Sequence, residues 1–262
     1  MDNENRENEP VRVITVPIKK MKEIALKALK GNWMPVTIAV LIFYIIRSLS
    51  DILDFFITIA PPQDLASMAQ ANGMILNPVP FGGTIYDLLI MGPVSFGLAI
   101  FLLTFFRTKK CDNTLLFDGF ARFPKTFLIF LISSIKVALW SLLFIFPGII
   151  AVVRYSMAYY IAADHPEYSA NRCIEESKRI MRGNISVFIV MFLSFLGWLV
   201  LASIPEIVVS EFHLVDFTGV SKIVFSIIMG LPAVLVNVYV QVTKTVFYEI
   251  LTGNLVVMEQ KN

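Results

Sequence analysis

The sequence predicts an all-α membrane protein, a polytopic transmembrane helical bundle of six spans with two amphipathic interfacial helices. Hydrophobic residues make up 56% of the 262 residues, and charged residues only 16%. A soluble domain carries about 25% charged residues. The mean hydropathy is +0.72, and the apolar residues form blocks long enough to cross a hydrocarbon core of about 30 Å. This composition excludes a secreted, a disordered and an ordinary cytosolic protein, and the net charge of +2 gives no support for nucleic-acid binding.

The N-terminal segment combines a polar tail with a basic helix. Residues 1–16 are polar and mixed in charge, and we expect a disordered cytosolic tail without a cleavable signal peptide. Over residues 17–32, apolar side chains recur at helical spacing and lysines fall mostly between them. This pattern predicts an amphipathic helix that lies on an anionic membrane surface.

The membrane domain is predicted to occupy residues 33–251, followed by a cytosolic tail over 252–262. As a single helix, residues 126–163 would be about 57 Å long, roughly twice the thickness of the hydrocarbon core. Pro147-Gly148 near their middle indicates either a hairpin of two short helices or one kinked helix. With the hairpin, the predicted spans are 33–60, 84–106, 126–146, 149–163, 185–205 and 222–247.

The distribution of basic residues favours the hairpin. With six spans, the N-terminal segment and the loops 107–125 and 164–184 lie on one side and hold seven, five and four Lys and Arg. The segments on the other side hold none, and basic loops mark the cytosolic side. We therefore expect a multi-pass membrane protein with both termini in the cytosol. Cys111 and Cys173 are then expected as free thiols in a reducing compartment.

Two segments of the chain share a pattern. Residues 27–32 read KALKGN and residues 179–184 read RIMRGN, and each closes a predicted amphipathic helix just before a span. A proline-bearing span follows in each half, with Pro93 in one and Pro232 in the other. This is either a parallel duplication or the same helix stop arising twice.

Several strings taken together resemble a known family. They are LFIFPGIIAVVRYSMAYYIAAD (143–164), SKRIMRGN (177–184), SFLGW (194–198), TVFYEIL (245–251) and KALKGNW (27–33). The chain is similar to the bacterial integral membrane family catalogued as domain of unknown function 975, over nearly its whole length after the N-terminal tail. That family is distantly like the membrane domain of some glycerophosphodiester phosphodiesterases. The resemblance implies a helical bundle of several spans, and it carries over no activity, ligand or functional residue.

Ionisable residues within the predicted spans are the candidate site, because charges inside a membrane are costly and often functional. Two interpretations remain open. The charges form a buried network in which Arg47 or Lys136 pairs with the aspartates, or the cations form an inward site for an anionic group such as a lipid phosphate or a carboxylate. The candidates are Arg47, Asp51, Asp54, Asp87, Lys136 and Arg154.

The sequence contains none of the common hydrolase, nucleotide-binding or metalloprotease motifs, so neither an enzyme nor a cofactor or metal site is predicted. The favoured function is a non-enzymatic transport- or envelope-associated component that binds anionic lipid, a membrane protein partner or a second copy of itself. The alternative is a small carrier or channel for an anionic solute or lipid that uses Lys136 and Arg154. A weaker alternative is an intramembrane enzyme that uses Asp87 or Asp164.

Overall fold

A computed structural model describes residues 12–59, 68, 79–80, 82–211 and 220–256. Within these ranges, the helices are α1 (Ile18–Leu29), α2 (Trp33–Phe56), α3 (Gly82–Thr108), α4 (Asp118–Ala121), α5 (Phe123–Leu143), α6 (Ile145–Tyr155), α7 (Ala158–Asp164), α8 (Ala170–Ile180), α9 (Ile185–Glu211) and α10 (Val220–Thr252). A 3₁₀ turn covers Asn113–Phe117. Two short strands, β1 (Thr58–Ile59) and β2 (Val79–Pro80), pair antiparallel at the far end of α2.

Six helical segments are long and apolar enough to cross a membrane, which confirms the predicted fold class. They correspond to α2, α3, α5, α6 with α7, α9 and α10. The short strand pair between α2 and α3 is the one regular β element among the described residues. Pro93 and Pro232, the prolines of the two proline-bearing spans, lie inside continuous helices.

The central hairpin forms as the charge distribution favours. Helix α5 ends at Leu143, and Phe144 is extended before α6 begins at Ile145. The backbone of Gly148 then packs directly against Ser141, so α5 and α6 are antiparallel neighbours. The reversal lies at Phe144, and Pro147 occupies the first turn of α6, where a missing N–H costs no helical hydrogen bond.

The fourth span is interrupted at a position that contains no proline. Helix α6 ends at Tyr155 and α7 begins at Ala158. The hydroxyl of Ser177 on α8 donates to the backbone carbonyl of Arg154 at 2.7 Å and accepts the N–H of Met157 at 3.1 Å. A neighbouring helix thus satisfies the backbone groups that the interruption frees, as an apolar environment requires.

Helix α3 is the centre of the bundle, and two thirds of it is buried. Two of its glycines allow backbones to approach: a Cβ on Gly97 would collide with the carbonyl of Leu116, and one on Gly92 with the carbonyl of Thr126. Gly197 on α9, by contrast, has no atom of the described residues within 4 Å of its Cβ position.

The two amphipathic helices bury their apolar faces against the protein. Helix α1 buries Met21 and Ala25 against α10. Helix α8 buries Cys173 and Ile174 against α5 and α7. Each helix thus packs onto neighbouring spans through its apolar face, and its position at the membrane surface stays a prediction.

The described part of the N-terminal tail is ordered by contacts with distant residues. The backbone N–H of Ile14 donates to the Asn184 side chain at 2.8 Å, and the Asn184 amide donates to the carbonyl of Arg12 at 2.9 Å. Ile14 is buried. Residues 12–16 therefore differ from the disordered tail predicted for 1–16, while residues 1–11 and 257–262 lie outside the described residues.

The two repeated strings share a backbone conformation. Gly31 and Gly183 both have a φ of +83°, in the left-handed region that favours glycine, and each lies between an amphipathic helix and a span. The side-chain contacts differ, because the Asn184 side chain binds the backbone of Arg12 and Ile14 in the N-terminal segment. The equivalence is thus one of local structure, and a duplication stays a prediction.

Candidate functional site

A cavity of about 560 Å³ lies inside the bundle. Helices α5, α6 and α7 form one wall, and α2, α3 and α10 form the other. The walls combine apolar side chains, among them Phe43 and Phe130, with hydroxyl and amide groups. This size and mixed lining are typical of a site for a small ligand.

Lys244 on α10 is the cation of this cavity. Its ammonium lies 5.3 Å from the centre of the Tyr160 ring. Among the residues that the structure describes, it forms no hydrogen bond or ion pair. An ionisable residue within a membrane segment is costly and marks a candidate functional site.

Polar groups around the lysine also lack partners. The Ser133 hydroxyl and the Tyr159 hydroxyl are buried and form no hydrogen bond with any described residue. Both line the cavity, together with Gln241, one turn of α10 before Lys244. Leaving a buried hydroxyl unpaired costs about 1–3 kcal/mol, and a bound polar group would recover this energy.

One end of the cavity is closed by aromatic and charged residues. The ring centres of Tyr160 and Tyr248 are 5.1 Å apart, and the Tyr160 hydroxyl lies 3.2 Å from that of Thr245. The Tyr248 hydroxyl donates to Asp164 at 3.0 Å. Along α10, these contacts lie between Lys244 and the ion-pair cluster of Arg107, Asp164 and Glu249.

Arg107, Asp164 and Glu249 form an ion-pair cluster where α3, α7 and α10 end. Arg107 contacts both oxygens of Asp164, at 2.7 and 2.8 Å, and binds Glu249 at 2.7 Å. The Glu249 side chain is only 3% exposed. The cluster joins the ends of three spans, and Asp164 is part of this network rather than a solvated helix end.

Two of the predicted site residues lie near α8 and do not line the cavity. Lys136 forms an ion pair with Glu175 on α8 at 2.8 Å, so its partner is not one of the predicted aspartates. Arg154 is half-buried in the last turn of α6 and, within the described residues, forms no ion pair.

The other four predicted residues lie on α2 and α3. Arg47 is exposed on α2, and the side chain of Asp51 lies outside what the structure describes. Asp54 accepts the backbone N–H of Gly83 at 2.6 Å and thereby links α2 to the start of α3. One oxygen of Asp87 is buried without a hydrogen-bond partner in the described part of the chain. Among the candidates whose side chains the structure describes, Lys136 and Arg154 lie near α8, whereas Arg47, Asp54 and Asp87 lie on α2 and α3.

The sequence analysis did not single out Lys244, Arg107 or Glu249. Lys244 lies inside the predicted sixth span, so a count of every charge within the spans would have found it. Arg107 and Glu249 flank predicted span ends, a position typical of interfacial charges, and nothing in the sequence indicates that they meet across 142 residues.

The fold and the cavity define a helical membrane protein with a polar site inside its bundle. Residues 145–255 match the family model described as "Protein of unknown function (DUF975)", which confirms the resemblance to that family over this part of the chain. The matched part contains α7, α8, α9 and α10, and with them Lys244, Asp164 and Glu249. No curated protein and no solved structure matches the chain. The likeness to the membrane domain of glycerophosphodiester phosphodiesterases stays a prediction.

Proposed function

We propose that this protein is a non-enzymatic membrane protein that binds the anionic group of a lipid or amphiphilic solute inside its helical bundle. The observation that carries the proposal is the ammonium of Lys244, which faces the cavity without an ion-pair partner among the described residues. The sequence-based alternative relied on Lys136 and Arg154, but Lys136 is paired with Glu175 and neither residue lines the cavity. The site of anion binding therefore moves to Lys244.

The remaining lining indicates what else the ligand carries. The free hydroxyls of Ser133 and Tyr159 can donate to additional oxygens of a carboxylate or a phosphate. Phe43, Phe130 and Val137 supply an apolar wall for an attached hydrocarbon group. One cation suits a ligand with a single negative charge.

The orientation in the membrane is part of the same proposal. Arg107 joins the ends of α3, α7 and α10, and Asn184 joins the start of α9 to the N-terminal segment. The two groups meet where the Arg12 guanidinium lies against Gly253, just after α10. Because the basic loops belong to this end, we place it in the cytosol of a bacterial cell, with the spans in the cytoplasmic membrane.

Binding can be tested with three twelve-carbon probes that differ in headgroup: dodecyl phosphate, laurate and uncharged dodecanol. Native mass spectrometry of the wild-type protein is expected to retain one molecule of an anionic probe and no dodecanol. Lys244→Met is expected to lose this adduct, whereas Lys136→Met keeps it. Equal retention of dodecanol, or an adduct that Lys136→Met loses and Lys244→Met keeps, would contradict the proposal.

A carrier is the second candidate, and the interruption between α6 and α7 favours it. Ser156, at this interruption, lines the cavity, and transporters often place discontinuous helices at their binding sites. A carrier would accelerate transfer of dodecyl phosphate between the leaflets of proteoliposomes, and Lys244→Met would abolish that acceleration. Binding without acceleration would exclude the carrier and leave the binding function.

A further inference from the structure

A second cavity, of about 510 Å³, lies between α1 and the two spans α9 and α10. None of its lining residues lines the cavity of Lys244. We call it the α1 groove and define it by Lys19, Lys22, Trp33, Trp198, Leu235 and Tyr239.

Lys22 points from α1 into this groove rather than away from the bundle. Its ammonium donates to the backbone carbonyl of Ser194 on α9 at 3.0 Å and lies 4.0 Å from the centre of the Phe195 ring. Ser194 is nine residues into α9, about 14 Å along that helix from its first residue. Among the described residues, Lys22 forms no ion pair with a carboxylate.

The surroundings of Lys22 leave room for an anion. An ammonium has three N–H donors, and one of them is used by the Ser194 carbonyl. Burial lowers the pKa of the Lys22 ammonium, because it removes water without supplying a carboxylate. A negatively charged oxygen in the groove would replace that water and restore the charged form.

The groove is continuous with the outer apolar surface of the bundle. Trp198 is 62% exposed, and Leu235 and Leu26 are each 43% exposed. In a membrane these side chains face lipid. An anion that reaches Lys22 from this side therefore arrives attached to a hydrocarbon chain.

The other charges at the groove belong to α1. Lys19 lies one turn before Lys22 and is exposed, so it can contact the outer part of a headgroup. Glu23, the one acidic residue lining the groove within the described chain, is 4.0 Å from Lys20 in an exposed pair. The net charge of the lining residues is positive.

We propose that the α1 groove binds the phosphate of a membrane phospholipid. Lys22 contacts the phosphate, Lys19 contacts the outer headgroup, and the acyl chains lie along Trp198 and Leu235. The function of this site is to fix α1 against α9 and α10 in the presence of lipid. This inference does not depend on Lys244.

The test compares lipids and matched lysine variants of the full-length protein by native mass spectrometry. The protein is exchanged into nanodiscs of an uncharged galactolipid that contain either dioleoyl phosphatidylglycerol or dioleoylglycerol as a minor component. The wild type is expected to retain one phosphatidylglycerol and no diacylglycerol after release. Lys22→Met is expected to reduce the retained fraction at least about tenfold, whereas Lys27→Met, on the exposed side of the same helix, keeps it.

Two further results decide the proposal. Lys22→Arg keeps a cation and is expected to retain the lipid, which separates the loss of charge from a general loss of folding. Lys244→Met is expected to retain phosphatidylglycerol fully, so failure of the proposed function and failure of this site can be told apart. Equal retention by the Met and Arg variants of Lys22, or equal retention of diacylglycerol, would overturn the proposal.

Should Lys22→Met not fold, the wild-type fold offers a second measurement. In a Trp140→Phe background the remaining tryptophans, Trp33 and Trp198, both line the groove. Brominated phosphatidylglycerol is expected to quench their fluorescence more strongly than brominated diacylglycerol does at the same bromine content. Equal quenching by the two lipids would overturn the site.

Discussion

The hydroxyl of Ser177 accepts the backbone N–H of Met157 at 3.1 Å. It also donates to the carbonyl of Arg154 at 2.7 Å, so one side chain satisfies both backbone groups freed between α6 and α7. Ser177 is fully buried. A residue on an amphipathic connecting helix thus stabilises an interruption in a membrane span.

Removal of this hydroxyl is expected to destabilise the protein. Ser177→Ala leaves a buried N–H and a buried carbonyl unpaired, which costs about 1–3 kcal/mol. Ser203→Ala is the matched control, because the Ser203 hydroxyl is exposed and bonds only to its own helix. Thermal unfolding in detergent measures both variants. A Ser177→Ala protein as stable as the wild type would show that the bridge contributes nothing.

The ion-pair cluster is expected to tolerate removal as a whole better than removal of one member. Arg107→Met leaves Glu249, which is nearly fully buried, beside Asp164 without a counter-charge, at a cost of about 3–5 kcal/mol. Combining Arg107→Met with Asp164→Asn and Glu249→Gln removes these charges and should recover most of the stability. Thermal unfolding of the single and triple variants tests this. A triple variant that is less stable than Arg107→Met would contradict this expectation.

The pair between Lys136 and Glu175 predicts a pH dependence. The hydrogen bond from Lys136 holds the pKa of Glu175 below its usual value, so folding favours the carboxylate. The contribution is present above the unfolded pKa of about 4.3 and is lost as the pH falls through the lower folded pKa. Because both side chains are partly exposed, it amounts to less than about 1 kcal/mol.

Unfolding temperatures of the wild type and Glu175→Gln measured from pH 7 down to pH 3.5 test this dependence. The wild type is expected to be the more stable near neutral pH, and the difference should shrink in acid. A constant difference over the whole range would exclude titration of this pair.

The two cysteines are expected to react differently with maleimides. Cys173 is fully buried and burial raises the pKa of its thiol, so it should react only after unfolding. Cys111 is partly exposed beside Lys109 at the end that we place in the cytosol. A membrane-impermeant maleimide should label Cys111 in inside-out vesicles and not in intact cells. Labelling of Cys111 in intact cells would reverse the proposed orientation, whereas Cys173 reports folding and not sidedness.

Two glycines provide a matched pair for helix contacts. Gly97→Ala places a methyl group against the carbonyl of Leu116 and should cost on the order of 1–3 kcal/mol. Gly197→Ala meets open space, and it should leave stability unchanged or raise it by up to about 1 kcal/mol through helix propensity. Unfolding temperatures compare the two. Similar losses in both would show that backbone approach at Gly97 is unimportant.

The sequence predicts the helices better than the site, because a helix depends on local sequence and the site depends on contacts between distant residues. The reversal near Pro147 could be predicted because an apolar run of that length cannot be one span and the basic residues decide its topology. The interruption at Ser156 could not, because no proline or glycine marks it and Ser177 stabilises it from another helix. The partner of Lys136 was missed for the same reason, since Glu175 lies 39 residues away on a helix expected to face lipid.

The sequence by itself determined that this is a helical protein with six segments long and apolar enough to span a membrane, and it predicts which ends share a side. These properties depend on hydropathy, span length and loop charge, all of which are local. Only the tertiary structure decided which charges are neutralised, because an ion pair requires two side chains within about 4 Å and that distance depends on how helices cross. It is the packing of α8 against α5 that pairs Lys136 with Glu175, and the cavity wall formed by α10 that leaves Lys244 available for a ligand.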